Sequence, residues 1–253
     1  MTEQTKDYLS RKQFFDSLLT IYGRKPVLEA LQDPKIALYR LHLAESNRQE
    51  GIVNEILALA EKRGVEVCYH DRKALSRISK NTKQDQGVAA DLQLQSYRPF
   101  SSFISEQSKP YRLIALDGVT NPQNLGMIIR SVAAGHVDGL LLPQKGCAKI
   151  DPLVIKASTG TVFKAPIFYC ETLKSALEEV NPDKVSICSL ALDAKDSWKT
   201  FTPKQSVIYV LGNETEGVSK EVSALCNSHI RIPMNNGVES LNVAVTAALL
   251  AFS

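Results

Sequence analysis

The stretch YRLIALDGVTNPQNLGMIIRSVAAG, residues 111–135, contains the structural unit that decides the fold. Its first seven residues form an apolar run typical of a buried strand, and the residues from about 125 have the spacing of a helix. A polar loop joins the two. Further along the chain, strands that are continuous apolar runs alternate with helices. This pattern predicts an α/β domain whose parallel sheet is covered on both faces.

The rest of this domain, which we place at 111–253, follows the same alternation. We predict strands at 138–143, 166–170, 185–192, 207–212 and 229–234, and helices at 152–158, 172–180, 219–227 and 241–252. Sheets of this kind bind ligands at the carboxyl ends of their strands. The loops that follow strands are therefore the places to look for a site.

The chain before residue 111 is organised differently. Residues 21–95 contain the pattern of a smaller α/β domain, with a predicted helix after Pro26 and another at 51–64. Its predicted strands are 36–44, 65–70 and 87–93. We interpret residues 1–20 as an N-terminal extension. We interpret residues 96–110 as a linker, because they are rich in Ser and Pro and lack periodicity.

Composition excludes several classes of protein. The 253 residues are 44% hydrophobic and 23% charged, which is ordinary for a globular protein. No apolar run approaches the roughly 18–20 residues that span a bilayer, and residues 1–15 lack the apolar core of a secretory signal. The five cysteines form no CxxC, and the four histidines are scattered. We therefore expect a cytoplasmic protein with reduced thiols, no metal and no membrane contact.

The net charge of +3 is unevenly distributed. Residues 1–110 contain 17 Lys and Arg against 14 Asp and Glu, whereas the remainder is neutral. Within them, RKALSRISKNTK at 72–83 contains no acid and five cations, namely Arg72, Lys73, Arg77, Lys80 and Lys83. Such a cluster can neutralise phosphates and release counterions. An ordinary solvated surface has the same composition, so the cluster indicates nucleic acid only together with other features.

Two loops that follow strands carry unusual polar residues. In the first, at 116–135, Asn124 is a predicted helix N-cap, and Arg130 lies about two turns into the helix. In the second, VLGNETEGVS at 210–219, Gly212 ends an apolar strand and Glu214 follows it. Each loop alone is as typical of a capped turn as of a functional site.

A third loop lies within IPMNNGVESLNVAVTAALLAF at 232–252. Ser240 is the predicted N-cap of the last helix, and Asn242 would lie in its first turn. The chain contains neither the glycine-rich dinucleotide fingerprint nor a P-loop after any predicted strand. It also lacks the short motifs of zinc proteases and of serine hydrolases.

Together, these three loops resemble the three motifs of the SpoU family of RNA ribose 2′-O-methyltransferases, in the SPOUT superfamily. The likeness covers most of 111–253 and is strongest to the branch that methylates guanosine in 23S rRNA. Residues 21–92, which open with IYGRKPVLEAL, are similar to the substrate-binding domain of several members. The resemblance implies a deep trefoil knot, S-adenosylmethionine held in the knotted loops, and a homodimer.

The resemblance also implies roles for single residues. The positions that hold S-adenosylmethionine in the family correspond to Gly212, Ile232, Met234 and Leu241. The family's functional polar positions correspond to Asn124, Arg130, Glu214, Ser240 and Asn242. A guanidinium stays protonated, so we expect Arg130 to orient the ribose hydroxyl and to stabilise its developing charge. Glu214 is expected to order the loops.

The resemblance thus favours an enzyme that methylates ribose in structured RNA. Two alternatives are a non-catalytic RNA-binding protein on the same scaffold and a related enzyme that acts on a base nitrogen. The separate N-terminal domain and its basic cluster favour large-subunit rRNA as the substrate, with tRNA as the alternative.

Overall fold

The computed structural model describes residues 14, 18–81, 83–93, 97–191, 193–203 and 205–253. Most of the predicted extension at 1–20, including the stretch inspected for a secretory signal, lies outside the described residues. The chain divides into two compact units. The first falls within residues 1–97 and includes 150–152, and the second comprises 98–149 and 153–253.

The first unit is built on a four-stranded mixed sheet, as the sequence predicts. Its strands are β1 (Leu18–Tyr22), β2 (Ala37–Ala44), β3 (Glu66–His70) and β4 (Val88–Gln93). Its helices are α1 (Arg24–Gln32), α2 (Ile52–Lys62) and α3 (Arg72–Ser79). The strand order is β1-β4-β2-β3, with only the β2–β3 pair parallel among the pairs described.

The basic cluster forms helix α3, which the sequence analysis did not predict. Asp71 caps it by accepting a hydrogen bond from the N–H of Ala74, at 2.7 Å. Leu75 packs the helix onto Tyr22, Ala44 and Ala89 of the sheet. The helix separates polar from apolar residues clearly, but it is polar overall and Leu75 is its one large side chain that is fully buried, so the sequence was interpreted only as a basic cluster.

The C-terminal end of helix α1 is capped by the side chain of Arg63, the residue that directly follows α2. One guanidinium nitrogen of Arg63 donates hydrogen bonds to the carbonyl oxygens of Ala30, Leu31 and Asp33, at 3.1, 2.8 and 3.1 Å. The last carbonyls of a helix have no partner within it, and a cation there also suits the helix dipole. Arg63 thereby joins the two helices that pack against each other.

The second unit contains an eight-stranded sheet. Its strands are β5 (Tyr97–Pro99), β6 (Arg112–Leu116), β7 (Gly139–Pro143), β8 (Ile167–Cys170), β9 (Val185–Leu190), β10 (Asp196–Ser197), β11 (Ser206–Leu211) and β12 (Ser228–Arg231). Its helices are α4 (Phe100–Glu106), α5 (Pro122–Ala134), α6 (Pro152–Ala157), α7 (Leu173–Glu178), α8 (Lys220–Ser223) and α9 (Val243–Ala251). Every strand pair whose register is described in this sheet is parallel, which confirms the predicted parallel sheet.

The strand order β10-β12-β9-β11-β6-β7-β8-β5 contains one reversal that positions the site. From β6 the chain moves outward through β7 and β8, and it then returns to build β9 to β12 on the other side. Such a switch point opens a crevice beyond the carboxyl ends of the strands. The trefoil knot implied by the family resemblance remains a prediction.

Residues 97–106 differ from the linker predicted at 96–110, because they form β5 and α4. Phe100 and Phe103 are buried, and the ring of Phe103 stacks on Phe168 with 4.2 Å between centroids. These two side chains anchor the short helix in the main core of the second unit. The Ser and Pro residues around them concealed this anchor.

Composition also led to expectations about the cysteines and about membrane-spanning helices. All five cysteine thiols are free. In the part of the chain that the structure describes, no helix has both the length and the apolar character needed to cross a membrane.

Candidate functional site

A cleft with a volume of about 360 Å³ opens at the carboxyl ends of β9, β11 and β12. Parallel strands bring these ends to one edge of the sheet, so loops far apart in sequence meet there. The lining residues come from the strand ends, the loop after β11 and the segment before α9: Leu190, Ala191, Val210–Val218, Arg231, Ile232, Met234, Glu239–Leu241, Val243 and Thr246. The walls combine apolar side chains with carboxylates, hydroxyls and one cation, Arg231.

The loop after β11 is held by its own backbone. The N–H and C=O groups of Asn213 and Gly217 bond to each other at 3.0 and 2.9 Å. A Cβ atom on Gly212 would lie 2.1 Å from the carbonyl carbon of Gly217, so no other residue fits there. The side chain of Asn213 donates to the carbonyl of Gly118, at 3.0 Å, and ties this loop to the loop after β6.

Asn124 joins all three loops that the sequence analysis singled out. Its side-chain N–H donates a short hydrogen bond to Glu214 in the loop after β11. Its side-chain oxygen accepts from the amide of Asn242, at 3.1 Å, just before α9. Asn124 is buried, with 6% of its surface exposed, so a polar group with two partners here fixes the loops relative to one another.

The predicted helix caps at Asn124 and Ser240 are wrong. Asn121 caps α5 and accepts from the N–H of Gln123 at 2.8 Å, which leaves the side chain of Asn124 free to bridge the loops. Asn242 caps α9 and accepts from the N–H of Ala244 at 2.9 Å. Two polar residues stand at or just before the first turn of each helix, and the local sequence does not show which of them is the N-cap. At α8, Ser219 is the cap and accepts a hydrogen bond from the N–H of Val222, at 3.4 Å.

The structure brings most of the predicted site residues together. All four residues assigned to the cofactor, Gly212, Ile232, Met234 and Leu241, line the cleft. Glu214 and Ser240 line it as well, and Asn124 and Asn242 connect its walls.

Arg130 lies apart from this group. It is exposed on α5, two turns from Asn124, and it does not line the cleft. Within a single chain, the structure therefore does not place its guanidinium beside the other predicted catalytic residues.

The predicted RNA-binding residues belong to the first unit. Arg72, Lys73 and Arg77 lie on α3, and Lys80 and Lys83 follow it; all five are exposed. Lys80 ends the helix in a left-handed conformation, with φ of 53°. Arg72 approaches the buried carboxylate of Asp85 at 3.9 Å, and no ion pair is described for the other four.

Six polar residues line the cleft that were not among the predicted site residues, namely Asn213, Thr215, Glu216, Arg231, Glu239 and Thr246. Arg231 ends β12, whereas the strand predicted at 229–234 extends past it, so its place at a strand end was not visible in the sequence. The cleft offers no activated thiol, since burial raises the pKa of the neighbouring Cys188 to about 12. Among the described residues, no three His, Cys, Asp or Glu side chains are grouped to hold a metal ion.

Comparison with known families finds two matches that together span most of the chain. A model of the SpoU rRNA Methylase family matches residues 111–252. A second model, described as RNA 2′-O ribose methyltransferase substrate binding, matches residues 20–98.

Similar proteins extend over nearly the whole chain. A Bacillus subtilis protein, YacO, whose name assigns it to the TrmH family of tRNA/rRNA methyltransferases, is 29% identical over 92% of this chain and 93% of its own length. The crystal structure of an AdoMet-bound rRNA methyltransferase from Sinorhizobium meliloti has a TM-score of 0.62 at 23% identity, covering 99% of this chain and 88% of that one. A TrmH-family structure from Porphyromonas gingivalis has a TM-score of 0.61 at 25% identity, covering 97% and 91%.

Proposed function

The chain belongs to the SpoU rRNA methylase family, and we propose that it transfers a methyl group from S-adenosylmethionine to a ribose 2′-hydroxyl in structured RNA. The observation that carries this proposal is the cleft in which Asn124 joins the three motif loops. A match to a substrate-binding model for ribose methyltransferases supports ribose as the acceptor. Among RNA classes we propose 23S rRNA.

The cleft suits S-adenosylmethionine in size and chemistry. Its volume of about 360 Å³ lies in the range of small-molecule sites. Ile232, Met234 and Leu241 offer apolar walls for an adenine ring, and the backbone around Gly212 can recognise the ring's polar edge. The carboxylates of Glu214 and Glu239 provide acceptors for the cofactor's hydroxyl and ammonium groups.

The chain's contribution to catalysis is mainly positioning. When bound, S-adenosylmethionine supplies an electrophilic methyl group on a positively charged sulfur. The transfer would replace the sulfur–methyl bond by an O2′–methyl bond, and the hydroxyl proton would pass to solvent or to an RNA phosphate. Arg130 orients the hydroxyl and stabilises negative charge as it develops on O2′. The chain of Glu214, Asn124 and Asn242 holds the loops, and Ser240 on the cleft wall contacts the acceptor ribose.

We propose that the active form is a homodimer built through α5 and α9. These helices pack against each other, yet Met127 on α5 and Val245 on α9 remain 41% and 49% exposed. Exposed apolar side chains on adjacent helices are typical of an interface. Arg130 follows Met127 by one helical turn and so lies on the same side of α5. In a dimer Arg130 can reach the cleft of the second copy, which accounts for its distance from the cleft of its own chain.

The exposed cations of α3 and the residues after it are the proposed RNA contact of the first unit. Of these five exposed cations, only Arg72 has an ion pair among the described residues, so the group can neutralise phosphates along a folded RNA. An rRNA or tRNA substrate would be met in the cytoplasm, and we place the protein there.

The proposed function is tested by methyl transfer from radiolabelled S-adenosylmethionine. The acceptors are unmodified 23S rRNA and bulk unmodified tRNA, and the product is digested to locate the label. We expect label on a ribose 2′-oxygen in 23S rRNA. Label on a tRNA ribose would make tRNA the substrate and would leave the proposed reaction unchanged.

Other outcomes contradict more of the proposal. Label on a base nitrogen would overturn the ribose assignment. If S-adenosylmethionine fails to bind in calorimetry, the chain is a non-catalytic RNA-binding protein instead.

A further inference from the structure

The only tryptophan of the chain, Trp198, lies beside the cleft rather than in a core. Its backbone N–H donates a hydrogen bond to the carbonyl of Arg231, at 3.0 Å. Arg231 and the next residue, Ile232, both line the cleft. Trp198 directly follows β10, an edge strand of the eight-stranded sheet, and is only half-buried.

One cation is described at this ring: the ammonium nitrogen of Lys199 lies 5.6 Å from the Trp198 ring centroid. Arg231, whose carbonyl accepts the hydrogen bond from Trp198, and Lys195, which precedes Trp198 in the same segment, are both exposed. Within residues 193–199, Asp193 and Asp196 balance Lys195 and Lys199, so the additional positive charge beside the ring comes from Arg231.

The turn that carries Trp198 is ordered by its own hydrogen bonds. The N–H groups of Thr200 and Phe201 donate to the carbonyl of Ser197, at 3.0 and 2.9 Å. The backbone that carries the ring is therefore ordered before any ligand arrives, which lowers the entropy cost of binding at this turn.

We propose that Trp198 is a stacking platform for an unpaired RNA base next to the nucleotide in the cleft, with Lys199 and Arg231 facing the adjoining phosphates. A fixed aromatic ring flanked by cations is the combination that binds single-stranded nucleic acid with little regard to sequence. The inference rests on the proposed RNA substrate. It adds a contact on the catalytic unit, separate from the basic helix α3 of the other unit.

Because Trp198 is the only tryptophan, fluorescence excited at a wavelength that the eight tyrosines do not absorb reports on this position alone. The full chain is titrated with an oligouridylate of roughly twelve nucleotides, within the usual site size, and with an RNA duplex of equal length. We expect the oligouridylate to quench the fluorescence in a saturable way that weakens as salt rises. The duplex, whose bases are already stacked, should quench little.

Variants separate stacking from general structure. Trp198→Ala should weaken oligouridylate binding about 5- to 150-fold, whereas Trp198→Phe, which keeps an aromatic ring, should retain most of the affinity. Lys199→Ala should weaken binding less and should reduce its dependence on salt. In methyl transfer, Trp198→Ala should raise KM for RNA and leave the affinity for S-adenosylmethionine unchanged.

Oligouridylate that binds without quenching, or that does not bind at all, overturns the stacking platform. Equal affinities of Trp198→Ala and of the wild-type chain for the oligouridylate would also overturn the stacking platform. The proposed function fails separately, if no RNA is methylated while quenching persists.

Discussion

At the level of single residues, Asn124 has the most consequential position in the structure. It is buried, and its amide satisfies both Glu214 and Asn242. Asn124→Ala leaves a carboxylate and an amide without their partner, a loss of about 1–3 kcal/mol. We expect affinity for S-adenosylmethionine, measured by calorimetry, to fall about tenfold or more.

Asn121→Ala is the matched control for that variant. It removes the cap of α5 and should cost about 1 kcal/mol of stability while leaving cofactor affinity nearly unchanged. Asn124→Asp should be at least as damaging as Asn124→Ala, because a second carboxylate would face Glu214. Equal cofactor affinities for Asn124→Ala and Asn121→Ala would show that the bridge has no part in the site.

Arg130 should affect turnover and not cofactor binding. In the proposed mechanism, Arg130→Ala removes the cation that stabilises charge on the ribose oxygen, so kcat should fall about 10²- to 10³-fold. Arg130→Lys should restore part of this loss, and Ser131→Ala, on the same helix, should change little. Reduced affinity of Arg130→Ala for S-adenosylmethionine would instead make Arg130 a structural part of the pocket.

A buried polar chain in the first unit should make its stability sensitive to acid. The ring nitrogens of His42 and His70 are 3.0 Å apart, and His42 is 2.9 Å from the carboxylate of Asp91. Burial, followed by the nearby His42 ring, lowers the pKa of His70 below 6.5. The unfolded chain therefore takes up this proton first, and the stability present above about pH 6.5 is lost as the pH falls further.

Thermal unfolding at pH 7.5 and at pH 5.5 tests this sign. The melting temperature of the wild-type chain should drop more than that of His70→Gln, which keeps a hydrogen-bond donor but cannot titrate. His136→Gln, at an exposed histidine, should behave like the wild type. A drop in melting temperature of equal size in His70→Gln would show that His70 is not the source of the acid sensitivity.

Among the secondary structure elements, α3 should determine how strongly RNA binding depends on salt. Replacing Lys73 and Arg77 by Ala removes two exposed cations and leaves Leu75 to hold the helix on the sheet. Affinity for 23S rRNA fragments should fall across sequences, and the slope of log K against log salt should become shallower by about one to two.

Lys62→Ala, at the exposed end of α2 in the same unit, is the control for the α3 variant and should leave the slope unchanged. An identical slope for the α3 variant and the wild type would remove this helix from the RNA contact.

The elements that sequence predicted best are those with the largest apolar signal. The strands from β6 to β11, except the two-residue β10, are almost entirely buried, and each was located within a few residues. Helices α3 and α4 were missed because one or two side chains hold each of them to a core. The stability of these two helices depends on the residues that pack against them from elsewhere in the chain, and a local sequence pattern does not contain that information.

The four residues assigned to the cofactor were named from the family resemblance, and the structure places them on the cleft wall; their binding to S-adenosylmethionine stays a prediction. The caps could not be located from the sequence, since Asn121 and Asn124, or Ser240 and Asn242, are equivalent by local chemistry. Asn124 instead bonds to Glu214 and Asn242, two residues that are far from it in the sequence. The exposed position of Arg130 likewise follows from the packing of α5, which leaves one side of that helix uncovered.

For the whole molecule, the proposed dimer makes a direct prediction. Met127→Glu combined with Val245→Glu places charge on the exposed faces of α5 and α9 and should produce a monomer near 27.9 kDa in sedimentation experiments. Methyl transfer should be lost with the dimer, because Arg130 no longer reaches a second cleft. Tyr69→Glu, at an exposed apolar residue of the other unit, should remain dimeric. A wild-type chain that sediments as a monomer would exclude this assembly.

The bond between Asn124 and Asn242 also sets an order of events during synthesis on the ribosome. Domains generally fold as they emerge, at roughly 5–20 residues per second. The basic helix α3 is made early, whereas α9 follows Tyr97 by about 150 residues, a delay of roughly 8–30 s at that rate. Until α9 emerges, Asn124 has no partner at the third loop and the cleft lacks one wall. With α3 as the proposed RNA contact, we expect a nascent chain to attach to RNA well before its cleft is complete.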